Sequence, residues 1–181
     1  MFDYNTLPED KRQMRKVELG SGSAKSEKIT MDFTEHENVD IAHDLTKPFP
    51  FGDEEIEMFN SHHVLEHFNR YTVRDFLKEC HRCLKPNGLF AAVIPDFDAA
   101  AKQWVANKYH DDWRARQNLM ICMLGGQAAG WEPKEGHTHS WGYTPRSAKA
   151  LMEEMGFEVE KSVAVGPNTD TPIIHLVARK R

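Results

Sequence analysis

Two groups of residues in this chain have types and a spacing that suit ligand chemistry. Val17-Glu18-Leu19 reads as a short strand that runs into Gly20-Ser21-Gly22-Ser23, and Ile29-Thr30-Met31 reads as a second apolar run that ends on Asp32. A glycine turn lets the backbone come close to a ligand and aims free N–H groups at it. A carboxylate at the end of the following strand can accept hydrogen bonds from both hydroxyls of a ribose. Alone, Gly-x-Gly is a weak signal that often marks a surface turn. The acid that follows it points to a nucleoside-bearing ligand.

The spacing narrows the choice. A dinucleotide site needs G-x-G-x-x-G opening a full helix, with its acid about 20 residues further on. Here the third glycine is replaced by the run Ser23-Ala24-Lys25, and Asp32 lies ten positions after Gly22. Only the six residues Ser23 to Lys28 precede Ile29, room for at most one or two helical turns. A pyrophosphate would lose its helix N-terminus, so nicotinamide cofactors and nucleotide sugars are disfavoured. S-adenosylmethionine carries adenine, ribose and an amino acid joined by a sulfonium, and it loses nothing without that helix.

A second constellation is His63-Val64-Leu65-Glu66-His67, with His137-Thr138-His139 further along. Residues 63, 66 and 67 would share one face of a helix. H-x-x-E-H is formally a zinc-peptidase motif, but the surrounding strands leave no room for the long helix and further ligand that such a peptidase needs. Cys80-His81-Arg82-Cys83 has no second pair to complete a zinc ribbon, and both sulfurs fall on an apolar stripe, so they read as core thiols.

Elements must hold these residues in place. Strands are expected at Lys16–Leu19, Ile29–Phe33, Val39–Ala42, Ile56–Asn60, Leu89–Ile94, Phe157–Val165 and Ile173–Ala178. The last two are joined by a loop short enough for an antiparallel pair. One helix is expected to open with a capping box of Thr72 and Asp75. It carries Val73, Phe76, Leu77, Cys80, Cys83 and Leu84 on one stripe and stops at Pro86-Asn87-Gly88. Another is expected to open at Thr144-Pro145 and stop at Gly156. Apolar runs alternating with helical patterns give an α/β fold.

The 181 residues suffice for one domain, 1–181, with a real core. The net charge of −5 disfavours a general nucleic-acid binder. No apolar run approaches a membrane span, the first fifteen residues lack a signal-peptide core, and three cysteines suit a reduced, cytoplasmic setting.

Five blocks in order carry a family resemblance: Glu-Leu-Gly-Ser-Gly-Ser (18–23), Met-Asp-Phe (31–33), Asp-Leu-Thr-Lys-Pro-Phe-Pro-Phe (44–51), Ser-His-His-Val-Leu-Glu-His-Phe (61–68) and Arg-Cys-Leu-Lys-Pro-Asn-Gly-Leu-Phe (82–90). Together they resemble class I S-adenosylmethionine-dependent methyltransferases, above all the small bacterial type with a short first crossover. The resemblance covers roughly 16–96 and weakly 144–178. It implies a Rossmann-like, mostly parallel seven-stranded sheet with a C-terminal antiparallel hairpin and helices on both faces. It implies S-adenosylmethionine as cofactor. Gly20 and Gly22 would pass under its methionine part, with Glu18 and Ser21 of the same loop counted as cofactor-binding. Asp32 would hold the ribose, Phe33 would lie against the adenine, and Asp44 and Leu45 would meet the adenine amino group and face. Ser61 and His62 would lie beside the sulfonium. Some related methyltransferases hold a divalent metal with an E-x-x-E-H set at this place. Here His63 replaces the first glutamate, which disfavours a hard cation, and although His137-Thr138-His139 could supply further ligands, no metal is expected.

All four tryptophans, Trp104, Trp113, Trp131 and Trp141, fall in an insert at about 97–143, together with Gly125-Gly126 and the 137/139 histidine pair. Such an insert would cover a methyl acceptor, a small molecule or accessible terminal group of glycan or other flat type, with at least two tryptophans forming the insert's own core. The expected activity is O- or N-methylation, with His63 as first candidate base and His139 and His137 next. A non-catalytic cofactor-binding subunit supporting a partner enzyme is the alternative. No nucleic acid or membrane partner is expected, and a homo-oligomer is possible.

Overall fold

The computed structural model describes residues 2–126 and 138–181. Seven strands form one sheet: β1 (Lys16–Leu19), β2 (Ile29–Asp32), β3 (Ile41–Ala42), β4 (Ile56–His62), β5 (Leu84–Pro95), β6 (Phe157–Val165) and β7 (Ile173–Lys180). Their spatial order is β3-β2-β1-β4-β5-β7-β6. The first five are parallel, and β7 runs antiparallel between β5 and β6. The chain reverses its direction of winding between β1 and β4. A parallel sheet opens a crevice at such a switch point, beyond the carboxyl ends of the strands.

The connection from β1 to β2 holds no helix. Nine residues, Gly20 to Lys28, suffice because Gly20 turns back at once and donates its N–H to Met31 O at 2.8 Å.

Among the described residues four α-helices follow: α1 (Thr72–Cys83), α2 (Phe97–Val105), α3 (Trp113–Leu124) and α4 (Pro145–Glu154). The α1 stripe Val73, Phe76, Leu77, Cys80 and Cys83 is buried. Phe76 packs against Phe90 of β5, and Phe90 against Phe157 of β6. Each fully buried phenylalanine contributes about 1.5–3 kcal/mol relative to exposure. Ala148, Leu151 and Met152 of α4 join the same core. Thr144 and Ser147 cap α4 reciprocally, Pro145 opens it, and Gly156 ends it at φ +87°.

Three local expectations, on α1, β5 and β4, are corrected. Asn69, not Thr72, caps α1: its Oδ1 accepts from Tyr71 N and Thr72 N, while Asp75 pairs with Lys78. β5 starts at Leu84, which pairs with Ile56 before a register shift that accommodates Pro86-Asn87-Gly88, Asn87 standing at φ +64°. β4 runs two residues further than Asn60, to His62. The insert contains α2 and α3, each started by an aspartate cap, Asp96 accepting from Ala99 N and Asp112 from Arg114 N and Ala115 N. Gln103 of α2 and Asn118 of α3 hold the loop between β6 and β7. Among the described residues no helix is long and apolar enough to cross a membrane.

Candidate active site

A cavity of about 540 Å³ opens at the carboxyl ends of β1, β2 and β4. That size lies within the range of small-molecule sites. One wall is the glycine turn. Gly20 and Gly22 both have left-handed φ, +63° and +56°. A Cβ on Gly20 would stand 2.3 Å from Val64 Cγ2, whereas one on Gly22 would meet nothing within 4 Å. Gly20 is therefore required by packing as well as by its backbone, and Gly22 leaves open space over the turn. Asp32 closes the turn from β2: its Oδ2 accepts from Gly22 N at 2.8 Å and its Oδ1 from Thr34 N at 2.9 Å. Each carboxylate oxygen keeps a lone pair for a ligand hydroxyl.

Phe33, exposed beside Asp32, and Leu45 give the cavity its apolar surfaces. Asp44 Oδ1 accepts from the Thr46 hydroxyl and N–H, and these bonds hold its carboxyl below the usual range. The cavity thus gathers Gly20, Gly22, Asp32, Phe33, Asp44, Leu45 and His63 from the residues singled out in the sequence. Glu18, Ser21, Ser61, His62 and His139 lie outside its lining. Glu18 instead accepts from Asn60 Nδ2 and Lys28 Nζ. The two extra residues of β4 explain Ser61 and His62. They turn Ser61 into the core beside Leu19 and Ala92, and leave His62 exposed. The end of the strand then falls at His63-Val64. Val64, His67 and Phe68 also line the cavity, and the sequence reading did not assign them to it.

The far end of the cavity is built around the 3-10 turn Leu65–His67, which replaces the expected helical face. His63 sits just past β4 at φ +54°, a conformation uncommon for a non-glycine residue and frequent at functional sites. Its side chain is 53 % exposed, and its Nδ1 is 3.1 Å from Glu66 Oε1. Glu66 is 1 % exposed, and its Oε2 has no partner among the described residues. The Glu66 carbonyl accepts from Ser140 N and Trp141 N at 2.7 and 3.1 Å. Those two bonds pin the 138–141 segment against the turn. They bring His139 Nε2 within 4.0 Å of Glu66 Oε1, and its ring within 5.1 Å of the His67 ring. Burial pushes the His139 imidazole below its ordinary pKa, against the pull of Glu66.

His137 and Trp131 lie outside the described residues. Trp113 and Trp141 are 66 % and 44 % exposed, and Trp104 is half-buried with Arg116 stacked over it. The described tryptophans do not make the insert's core. Among the described residues, Ala99, Ala100, Ala115 and Leu119 are the buried apolar residues of α2 and α3.

Residues 17–92 match the family model of the methyltransferase domain. A search of curated proteins finds no match. Among solved structures, the chain is similar to the 1,6-didemethyltoxoflavin-N1-methyltransferase of Burkholderia thailandensis, solved with 1,6-didemethyltoxoflavin and S-adenosylhomocysteine. The TM-score is 0.61 at 13% identity, over 91% of this chain and 70% of that one. An S-adenosylmethionine-dependent methyltransferase of Methanosarcina mazei gives 0.61 at 16% identity, over 98% and 95%. Human N-acetylserotonin methyltransferase in complex with S-adenosylmethionine gives 0.56 at 16% identity, over 99% of this chain and 49% of that one.

The sheet order and the glycine turn define a class I S-adenosylmethionine-dependent methyltransferase fold. The match to the methyltransferase domain spans residues 17–92, and S-adenosylmethionine is the cofactor that such a domain implies.

Proposed function

We propose that this chain methylates a hydroxyl or amine of a small molecule, with S-adenosylmethionine as donor. The observation that carries the reading is one continuous cavity with a nucleoside-suited end and an acid–base end. At the first end Asp32 offers two carboxylate oxygens, and Phe33 and Leu45 offer flat apolar contact. The glycine turn leaves room for the chain that joins the two ends. When bound, the cofactor supplies a methyl already activated on a sulfonium, so positioning carries much of the rate.

The protein's own contribution at the second end is proton removal. An ionised Glu66 only accepts, so it holds a hydrogen on His63 Nδ1 and leaves the Nε2 lone pair free to take the acceptor's proton. His139 is a second imidazole within reach of the same carboxylate. Exposed Trp141 and the 97–143 segment are proposed to recognise the acceptor. The small-molecule substrates named for similar structures support that class.

S-adenosylhomocysteine is expected to raise the melting temperature, while NAD and NADP leave it unchanged. Labelled methyl groups incubated with a cell extract are expected to appear in the small-molecule fraction. Stabilisation by NAD alone would overturn the cofactor reading, and label confined to protein or nucleic acid would overturn the acceptor class.

A further inference from the structure

We infer that Glu66, His67 and His139 form a binding site for one divalent transition-metal ion, of the zinc, iron, cobalt or manganese type, at the acceptor end of the cavity. One ligand atom from each residue lies within 4.8 Å of the other two. The carboxylate is the independent sign of a ligand. Glu66 is almost fully buried, one of its oxygens is engaged by His63, and the other has no partner among the described residues. A buried carboxylate oxygen left without a partner is costly, so its persistence calls for a group that it binds.

Both imidazoles are already oriented as metal ligands are. His67 Nδ1 lies 3.0 Å from Thr138 O and His139 Nδ1 lies 3.1 Å from Cys122 O. A carbonyl oxygen only accepts, so each Nδ1 carries the hydrogen and each Nε2 presents a lone pair. Metal-ligating histidines show this same bond to a carbonyl or carboxylate, which fixes the tautomer and the ring. The set of two imidazoles and one carboxylate suits ions of intermediate softness. Magnesium and calcium want oxygen donors throughout. Donors on a common ion at about 2.0–2.2 Å stand roughly 3–3.5 Å apart. Closing from 4.8 Å is a movement of about 1.5 Å, within reach of side-chain rotation at the half-buried His67.

This assignment replaces the expectation of no metal that followed from His63 standing in place of a glutamate. In space it is His139, brought in from the insert, that completes the set with Glu66 and His67, and His63 stays free as a base. Three protein ligands leave a coordination position open. His67 lines the cavity, so that position would face the acceptor and take an oxygen from it, favouring a hydroxyl or carboxylate-bearing acceptor over a simple amine. This catalytic use rests on the methyl-transfer reading. The metal site itself does not.

The test is titration of the full chain, stripped with chelator, with Co²⁺ alone, followed by its visible absorption and by displacement with Zn²⁺. One equivalent is expected to bind. His139→Ala and Glu66→Gln are each expected to weaken binding by about 100-fold or more, and Glu160→Gln, at an exposed residue of the outer strand β6, to leave it unchanged. If Glu66→Gln fails to fold, His67→Ala at the half-buried ligand decides the question. Absence of stoichiometric binding, or binding undisturbed in the ligand variants, would overturn the site. Binding of S-adenosylhomocysteine without Co²⁺ overturns the metal site alone. Binding of Co²⁺ without S-adenosylhomocysteine supports the site and overturns only the methyl-transfer reading.

Discussion

Asp32→Ala is expected to weaken S-adenosylhomocysteine binding by about 100-fold or more while the domain still folds. Hydrogen bonds to a charged group contribute about 1.5–3 kcal/mol each, and the ribose would make two with this carboxylate. The sum, roughly 3–6 kcal/mol, is an upper range, because water partly replaces the lost acceptor in an open cavity. The fold survives because, among the described residues, this carboxylate bonds only to the turn itself, Gly22 N and Thr34 N, at exposed residues. Asp32→Asn keeps one acceptor oxygen and is expected to fall between the two. Calorimetric titration measures all three affinities. Equal affinity in Asp32→Ala and wild type would mean that the ribose is held elsewhere.

The second large effect concerns proton removal. His63→Asn is expected to lower kcat by roughly 100- to 10,000-fold, the usual contribution of a positioned general base. Asparagine is chosen because residue 63 sits at φ +54°, a left-handed conformation that asparagine tolerates better than most residues. The side chain is more than half exposed, so stability should change little. S-adenosylhomocysteine affinity should change far less than kcat, since His63 touches only the end of the cavity. Raising the pH should recover part of the lost rate, because the acceptor then ionises without help. An unchanged kcat, or a loss in cofactor affinity that accounts for the whole effect, would remove His63 as the base.

How much of this was legible in the sequence depends on the range of the interactions. The turn at Gly20 and Gly22 and the acid at Asp32 could be read directly. Left-handed φ selects glycine locally, and ten residues of spacing leave room for no more than one or two helical turns. The α4 helix was legible for the same reason, because Thr144-Pro145 and Gly156 are local stop and start signals. The end of β4 was not. Ser61 and His62 continue the strand because β5 offers Ala92 and Val93 as partners, and no residue near 60 announces that. The aspartate caps of α2 and α3 were present in the sequence, but a weak apolar period hid the helices behind them. Least legible was the Glu66–His139 approach. It joins residues 73 positions apart and depends on two backbone bonds from Ser140 and Trp141 to the Glu66 carbonyl. Sequence spacing around His63 therefore argued against the metal that we infer from the folded arrangement.

The most direct test of the central claim is a crystal structure of the chain with S-adenosylhomocysteine. The account predicts both ribose hydroxyls on the Asp32 carboxylate, the adenine between Phe33 and Leu45, and the amino-acid part over Gly20 and Gly22. The sulfur would then face His63 and His67. Ligand found away from the glycine turn, or bound there with its sulfur directed away from His63, would contradict it.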